Sequence, residues 1–164
     1  MAEFTRVIVG VSGSARSAAV LQRAAAEAAR RGAELVPVIA WTPVGGEQVY
    51  RTHPCPSLAK EWEKAARARL DEVFTDVFGG YPAGLAVTPV VIRGEAGPSL
   101  LQVADRADDV LVIGAGRRGK LRRLFSGEVA RHVLAHARCA VTAVPAEAKL
   151  PTSRRGKLEL VKAA

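Results

Sequence analysis

Between Gly114 and Glu128 the chain carries Gly114, Gly116, Gly119 and Gly127 together with Arg117, Arg118, Lys120, Arg122 and Arg123. This stretch follows the apolar run Val110–Ile113 and leads into a helical segment, Val129–Ala137. A glycine-rich loop between a strand and a helix N-terminus suits a phosphate: backbone N–H groups converge, the helix dipole favours an anion, and glycine permits close approach. The five cations add charge of the right sign. Glu128 runs against the pattern, because it places a carboxylate where the anion would sit. A unit charge about 4 Å from a phosphate charge meets a repulsion of about 4 kcal/mol at an effective dielectric near 20.

Other residues of chemical interest carry less. His132 and His136 stand four apart on the last helix, a spacing that can hold a metal, but no His-Glu-x-x-His pattern and no third ligand accompany them. Packing or capping near the helix end is the expected job of His136. Ser12-Gly13-Ser14 follows the first strand and could be a nucleophile or phosphate turn. No Gly-x-Ser-x-Gly elbow or Ser-His-Asp order supports a hydrolase, so N-capping of the first helix is expected. A dinucleotide fingerprint is missing: Gly10-Val-Ser-Gly13 is not Gly-x-Gly-x-x-Gly, and Trp41 and Thr42 stand where an acidic residue would end strand two. Asp108 and Asp109 precede strand four and belong to the opposite end of the sheet. Cys55 and Cys139 read as free thiols.

The elements that would position these residues alternate. Strands are expected over Phe4–Val11, Glu34–Trp41, Ala86–Arg93, Val110–Ile113 and Ala140–Val144, and helices over Ser14–Arg31, Ser57–Phe78, Pro98–Ala107 and Val129–Ala137. Gly32 and Gly79-Gly80 are placed as helix stops. Pro37 lies inside the second strand, where the missing donor predicts a bulge or an unpaired position. Residues 42–56 hold two glycines and three prolines and show no periodicity. Strand–helix alternation implies a single-domain, Rossmann-like α/β fold: a five-stranded parallel sheet with helices on both faces. Ligands of such sheets sit beyond the carboxyl ends of the strands, at the topological switch point.

The totals set bounds. One domain is expected from 164 residues, over about 1–146, followed by a basic tail, 147–164. Hydrophobic residues make up 49% and charged residues 24%, a globular balance. No run approaches the roughly 18 apolar residues of a membrane span, and the first residues lack a signal-peptide layout, so a cytoplasmic protein is expected. The net charge of +8 permits an anionic ligand. Aromatics are only 5% and are not interleaved with the basic clusters, which argues against a stacking platform for nucleic acid.

The opening Val7-Ile-Val-Gly-Val-Ser-Gly-Ser14 and the closing run Val129–Pro145 resemble the universal stress protein family, and the likeness extends over about residues 4–145. The resemblance implies a cytoplasmic homodimer, paired through the last strand Ala140–Val144, and in one branch of the family ATP bound at the strand ends. The family's nucleotide motif runs Gly, two residues, Gly, nine residues, then Gly with Ser or Thr. Gly114 and Gly127 match its first and last glycines. Arg117 stands at the second glycine, Glu128 replaces the hydroxyl residue, and Ser12 occupies a position that is usually Asp. Ala40 matches the position whose backbone faces adenine.

The resemblance thus implies a site of Gly10, Val11, Ser12, Ala40, Gly114, Arg117, Arg118, Gly127, Glu128 and Val129, holding ATP or another adenine nucleotide, with Mg²⁺ only beside a triphosphate. The implied protein is a stress-response sensor or binding module, at most a weak ATPase. Two alternatives stay open. One is a degenerate member that binds no nucleotide and acts through dimerisation and protein contacts. The other, weaker, is an adenylate-handling enzyme of related fold.

Overall fold

Val7, Ile8 and Val9 are wholly buried, and this short apolar run forms the middle of the molecule because both of its faces are covered. The computed structural model describes residues 5–13, 15–115 and 127–145. In chain order the elements are β1 (Arg6–Gly10), α1 (Ala15–Arg31), β2 (Glu34–Trp41), α2 (Gly46–Thr52), α3 (Pro56–Phe78), β3 (Val90–Arg93), α4 (Ala96–Val103), β4 (Asp109–Ala115), α5 (Glu128–His136) and β5 (Ala140–Pro145). The strands form one five-stranded sheet in the order β3-β2-β1-β4-β5. Every pairing is parallel. The winding reverses between β1 and β4, which makes their carboxyl ends the switch point.

Alternation along the strands sorts the core into two layers. Val7, Val9, Leu35, Ile39, Val110 and Val112 pack against Leu21, Ala24 and Ala28 of α1 and Ala66, Leu70 and Phe74 of α3. Ile8, Val36, Val38, Leu111 and Ile113 face Leu100 and Ala104, from α4 and its end, and Ala130 and Val133 of α5. Each fully buried Leu or Phe in these layers stabilises the fold by about 1.5–3 kcal/mol relative to exposure.

Local signals explain the boundaries. α1 stops at Gly32, whose φ of 64° suits glycine. There the Ala33 N–H donates to the Ala28 carbonyl and the Gly32 N–H to the Ala29 carbonyl, a Schellman closure. The expected helix cap, Ser14, lies outside the described residues, as do Phe4 and the tail 147–164.

Pro37 introduces no bulge. Its strand stays in register with β1 from Arg6↔Glu34 through Gly10↔Val38. The lost donor falls on the other side. Leu35 pairs with Val87 as an isolated bridge, and the β2–β3 ladder resumes only at Val38↔Val90. The constant offset sets Pro37 level with Pro89 in that gap. This opposition shortens the third strand to Val90–Arg93, against the expected Ala86–Arg93.

Two further expectations are corrected. The helix expected over Pro98–Ala107 runs from Ala96 to Val103, with Pro98 in its first turn. Residues 42–56, without visible periodicity, contain α2. This seven-residue helix buries no side chain and begins after Gly45, at φ 84°. Among the described residues no helix is long and apolar enough to cross a membrane.

Candidate functional site

Because the strands are parallel, Gly10, Ala40 and Gly114 all lie at one end of the sheet. The return to a parallel β5 brings the N-terminus of α5 to the same end. The described sequence-derived residues Gly10, Val11, Ser12, Ala40, Gly114, Gly127, Glu128 and Val129 therefore converge at the carboxyl end. Arg117 and Arg118 lie outside the described residues.

The glycines here have different jobs. A Cβ on Gly10 would stand 3.1 Å from Leu100 Cδ1, and one on Gly114 would stand 3.3 Å from Val20 Cγ2. Both positions are small because α4 and α1 press close to the sheet. Gly13 adopts φ +69°, which only glycine takes readily. Gly127 differs from all three. Its φ is −50°, and no described atom lies within 4 Å of the Cβ it lacks. Neither backbone geometry nor packing against the described residues requires glycine there. It begins a nine-residue helix with no side-chain cap, so the first N–H groups of α5 have no side-chain acceptor at Gly127. Glu128 follows, exposed, as the first helical residue, with no hydrogen bond to a described group.

The turn after β1 is organised from within. Val11 is buried, and its N–H donates to the Val38 carbonyl at 2.8 Å. The Ser12 N–H donates to Ser17 Oγ at 2.9 Å, and the two hydroxyls share a second 2.9 Å bond. Ser12 thus ties the turn to the first turn of α1. Ser17, itself buried, is missed by sequence reasoning because serine in an alanine-rich helix gives no periodic signal.

Arg69, from the middle of α3, is also missed. Its aliphatic stem crosses the space beside Gly13, where a Cβ would lie 2.5 Å from Arg69 Cδ and 2.8 Å from Cγ. A third missed feature caps the ends of β2 and β3. Trp41 and Trp62 have ring centroids 6.4 Å apart, and Tyr50 meets Trp62 edge-on at 6.2 Å. Arg93 lies over Tyr50 at 4.4 Å and over Trp41 at 5.5 Å, and both Glu47 oxygens accept from it at 2.8 Å. Arg93 holds the Glu47 carboxyl below the usual carboxylate range through that hydrogen bond, against an opposing effect of burial.

The histidines are accounted for by packing. The His132 ring fills the space beside Gly97, 3.0 Å from a would-be Cβ, which brings α4 and α5 together. His136 Nδ1–H donates to the His132 carbonyl at 2.8 Å near the helix end. Among the described residues no three His, Cys, Asp or Glu side chains form a metal-capable group.

Asp109 sits at the opposite end of the sheet, as expected. It is fully buried and accepts from Arg6 Nε at 2.8 Å and Nη2 at 2.7 Å. The Arg106 N–H also donates to Asp109 Oδ2, at 2.9 Å. These acids hold the fold and are remote from the glycine turns. Cys55 is exposed, and the Ser57 hydroxyl beside it lowers its thiol pKa, whereas burial raises that of Cys139.

An all-parallel, Rossmann-like α/β domain with glycine turns and a helix N-terminus meeting at its switch point defines the class. Comparison with known proteins then fixes the family. Residues 3–145 match the model of the universal stress protein family. The universal stress protein Rv1996 of Mycobacterium tuberculosis is 32% identical over 135 residues, which are 78% of this chain and 40% of that relative. The chain thus spans about two fifths of the length of the curated relatives it matches. Among solved structures, UspA from Lactobacillus plantarum superposes with a TM-score of 0.62 at 19% identity, covering 87% of this chain and 98% of that one. A universal stress protein from Archaeoglobus fulgidus, solved with dAMP, gives 0.50 at 25% identity, covering 86% and 98%. The chain belongs to the universal stress protein family.

Proposed function

We propose that the carboxyl end of the sheet binds an adenine nucleotide in altered form, and that the protein acts as a stress-response binding module rather than a catalyst. The observation that carries this reading is Gly127. A glycine that is neither left-handed nor crowded by any described atom, at the start of α5 where no described side chain caps the helix, suits a backbone reserved for an incoming anion. The dAMP bound by the Archaeoglobus fulgidus relative supports an adenine nucleotide as the class. In this reading the ends of β1 and β2, at Gly10–Ser12 and Ala40, face the nucleoside. Gly114, Gly127, Val129 and the arginines at 117 and 118 face the phosphates, and Mg²⁺ enters only with a triphosphate. Glu128 occupies part of the anion site when it is empty, where a carboxylate at a helix N-terminus contributes about 0.3–1 kcal/mol.

Titration calorimetry with ATP, ADP and AMP on the native chain and Glu128→Ser tests the reading. Micromolar binding by the native chain, about −8 kcal/mol, supports it. Binding only by the variant means a site closed by its own carboxylate. No binding by either overturns the nucleotide reading.

A second reading rests on β5. This strand forms one edge of the sheet, with Ala140 and Ala143 exposed, and an open strand edge is a ready template for a second chain. We infer a cytoplasmic homodimer paired along Ala140–Val144, which could serve protein partners even if the nucleotide site is degenerate. A monomer by light scattering at micromolar concentration would count against it.

A further inference from the structure

Arg69 is the cation that α3 aims at the turn after β1. Ala66 and Leu70 are buried and Val73 is partly buried, so the phase of the helix about its axis is fixed. Arg69 lies on the flank shared with Ala66 and Val73, at spacings of three and four. From there its Cγ and Cδ pass through the volume a side chain at position 13 would fill, and its Nε comes to 3.6 Å of that point. Gly13 therefore meets two requirements at once: a left-handed backbone and room for the arginine stem.

Nothing within the described residues uses the charge so delivered. Glu72, one turn further along α3, is not within ion-pairing distance, although Lys64 on the same helix pairs with Glu61 at 3.0 Å. By contrast, Arg6, Arg30, Arg31 and Arg93 each hold a carboxylate. A guanidinium keeps its charge at all relevant pH and presents a planar fork suited to phosphate oxygens. Being carried on a helix locked into the core, it is better placed than a loop residue to define an anion position.

We propose that Arg69 is a binding residue of the site, its guanidinium reaching past Gly13 to donate to the phosphate of a nucleoside phosphate bound at the carboxyl end of the sheet. The proposal rests on the nucleotide reading above for the adenine part only. It assigns phosphate recognition to a residue outside the glycine loop. Removing the cation should then cost affinity for the phosphate and spare the nucleoside.

The test compares AMP, adenosine and inorganic pyrophosphate by calorimetry on the native chain, Arg69→Met and Arg69→Lys, with thermal melts alongside. The expected result is a loss of about tenfold or more in AMP and pyrophosphate affinity for Arg69→Met, the scale of one charge-assisted hydrogen bond, with adenosine unchanged within twofold. Arg69→Lys should recover part of the loss. Unchanged AMP and pyrophosphate affinity in Arg69→Met overturns the proposal. An equal loss of AMP and adenosine overturns it too, because it marks a structural role. Pyrophosphate binding that depends on Arg69, with neither AMP nor adenosine bound, upholds Arg69 and overturns the adenine reading. A native chain that binds none of the three probes overturns both.

Discussion

Ser17 Oγ lies 2.9 Å from both the backbone nitrogen and the hydroxyl of Ser12, so one buried side chain of α1 fixes the turn that leaves β1. The relationship couples the candidate site to the core, because Ser17 begins the same helical face that carries Leu21, Ala24 and Ala28. Replacing Ser17 by Ala removes the acceptor of the Ser12 N–H. We expect a loss of about 1 kcal/mol, the usual net worth of such a bond. For a domain of this size that lowers Tm by about 2–4 °C, and the loosened turn should also weaken AMP binding. A Ser17→Ala variant that melts and binds like the native chain would show that the turn holds itself.

How much of this was legible in the sequence depends on the range of the contact involved. The strand cores and the Gly32 stop were readable because apolar runs and a glycine after a basic helix end are local signals. The start of the third strand is not legible in the sequence, because Pro89 interrupts the ladder together with Pro37, fifty-two positions away in register. The α2 helix was not visible: it buries no side chain, and it is held by Arg93, 46 residues distant. Arg69 escaped for the same reason, since an exposed arginine on a helix gives no sign of the glycine turn it crosses. The convergence of Gly10, Ala40, Gly114 and Gly127 was readable only through topology. That packing explains the small residues at 10 and 114, while no described residue crowds Gly127, needed the structure.

Arg6 and Asp109 form the main polar tie at the amino end of the sheet. Asp109 is fully buried, so removing Arg6 leaves a carboxylate without its charge partner, a change that costs about 3–5 kcal/mol. Arg6→Met should lower the urea midpoint with the slope unchanged and should leave AMP affinity intact once folded, because the ligand end is remote. The neighbouring Asp105 carboxyl is held below its usual range, first by its hydrogen bond from Arg6. A depressed carboxyl contributes stability that is present above its unfolded pKa, about 3.9, and is lost as pH falls through the lower folded value. Acid titration of Asp105→Asn should therefore show a smaller fall in stability below about pH 4 than the native chain.

Tyr81 predicts the alkaline limb. It stacks on Phe74 at 4.4 Å and donates its hydroxyl to Asp71 Oδ1 at 2.5 Å. Burial, then the Asp71 hydrogen bond, pushes its pKa up to about 12. A raised tyrosine keeps its proton longer in the folded state, so its contribution is present below the unfolded pKa of about 10 and is lost between about 10 and 12. The tyrosinate absorbance of the native protein should include a phase that rises toward about pH 12, and Tyr81→Phe should abolish it. A native absorbance titration that is complete well below pH 12 would contradict the Tyr81 environment.

Both tryptophans of the chain, Trp41 and Trp62, lie in the aromatic cluster, so intrinsic fluorescence reports on the docking of α2. Glu47 and Arg93 are both partly accessible, and an exposed ion pair of this kind contributes little to stability. Arg93→Ala should therefore shift the emission while barely changing global stability. The native signal should also respond to salt, whereas that of the variant should not. An unchanged spectrum would mean that Tyr50 and Trp62 hold α2 without the arginine.

The most discriminating substitution is Glu128→Ser. Glu128 starts α5 directly after Gly127, where no described side chain caps the first helical N–H groups. A carboxylate there satisfies the helix dipole and repels a phosphate at the same place. At the dielectric of water the repulsion at 4 Å is about 1 kcal/mol, and at an effective dielectric of 20 it is about 4 kcal/mol. Removing it should thus raise AMP affinity by at least about fivefold, while lowering the stability of the unliganded protein by a few tenths of a kcal/mol to about 1 kcal/mol. The two effects have opposite signs, which separates them from general loosening. Calorimetry and a thermal melt on one preparation suffice to check both. Equal AMP affinity in the two proteins would place the phosphate away from α5 and leave the Gly13–Arg69 turn as the remaining anion position.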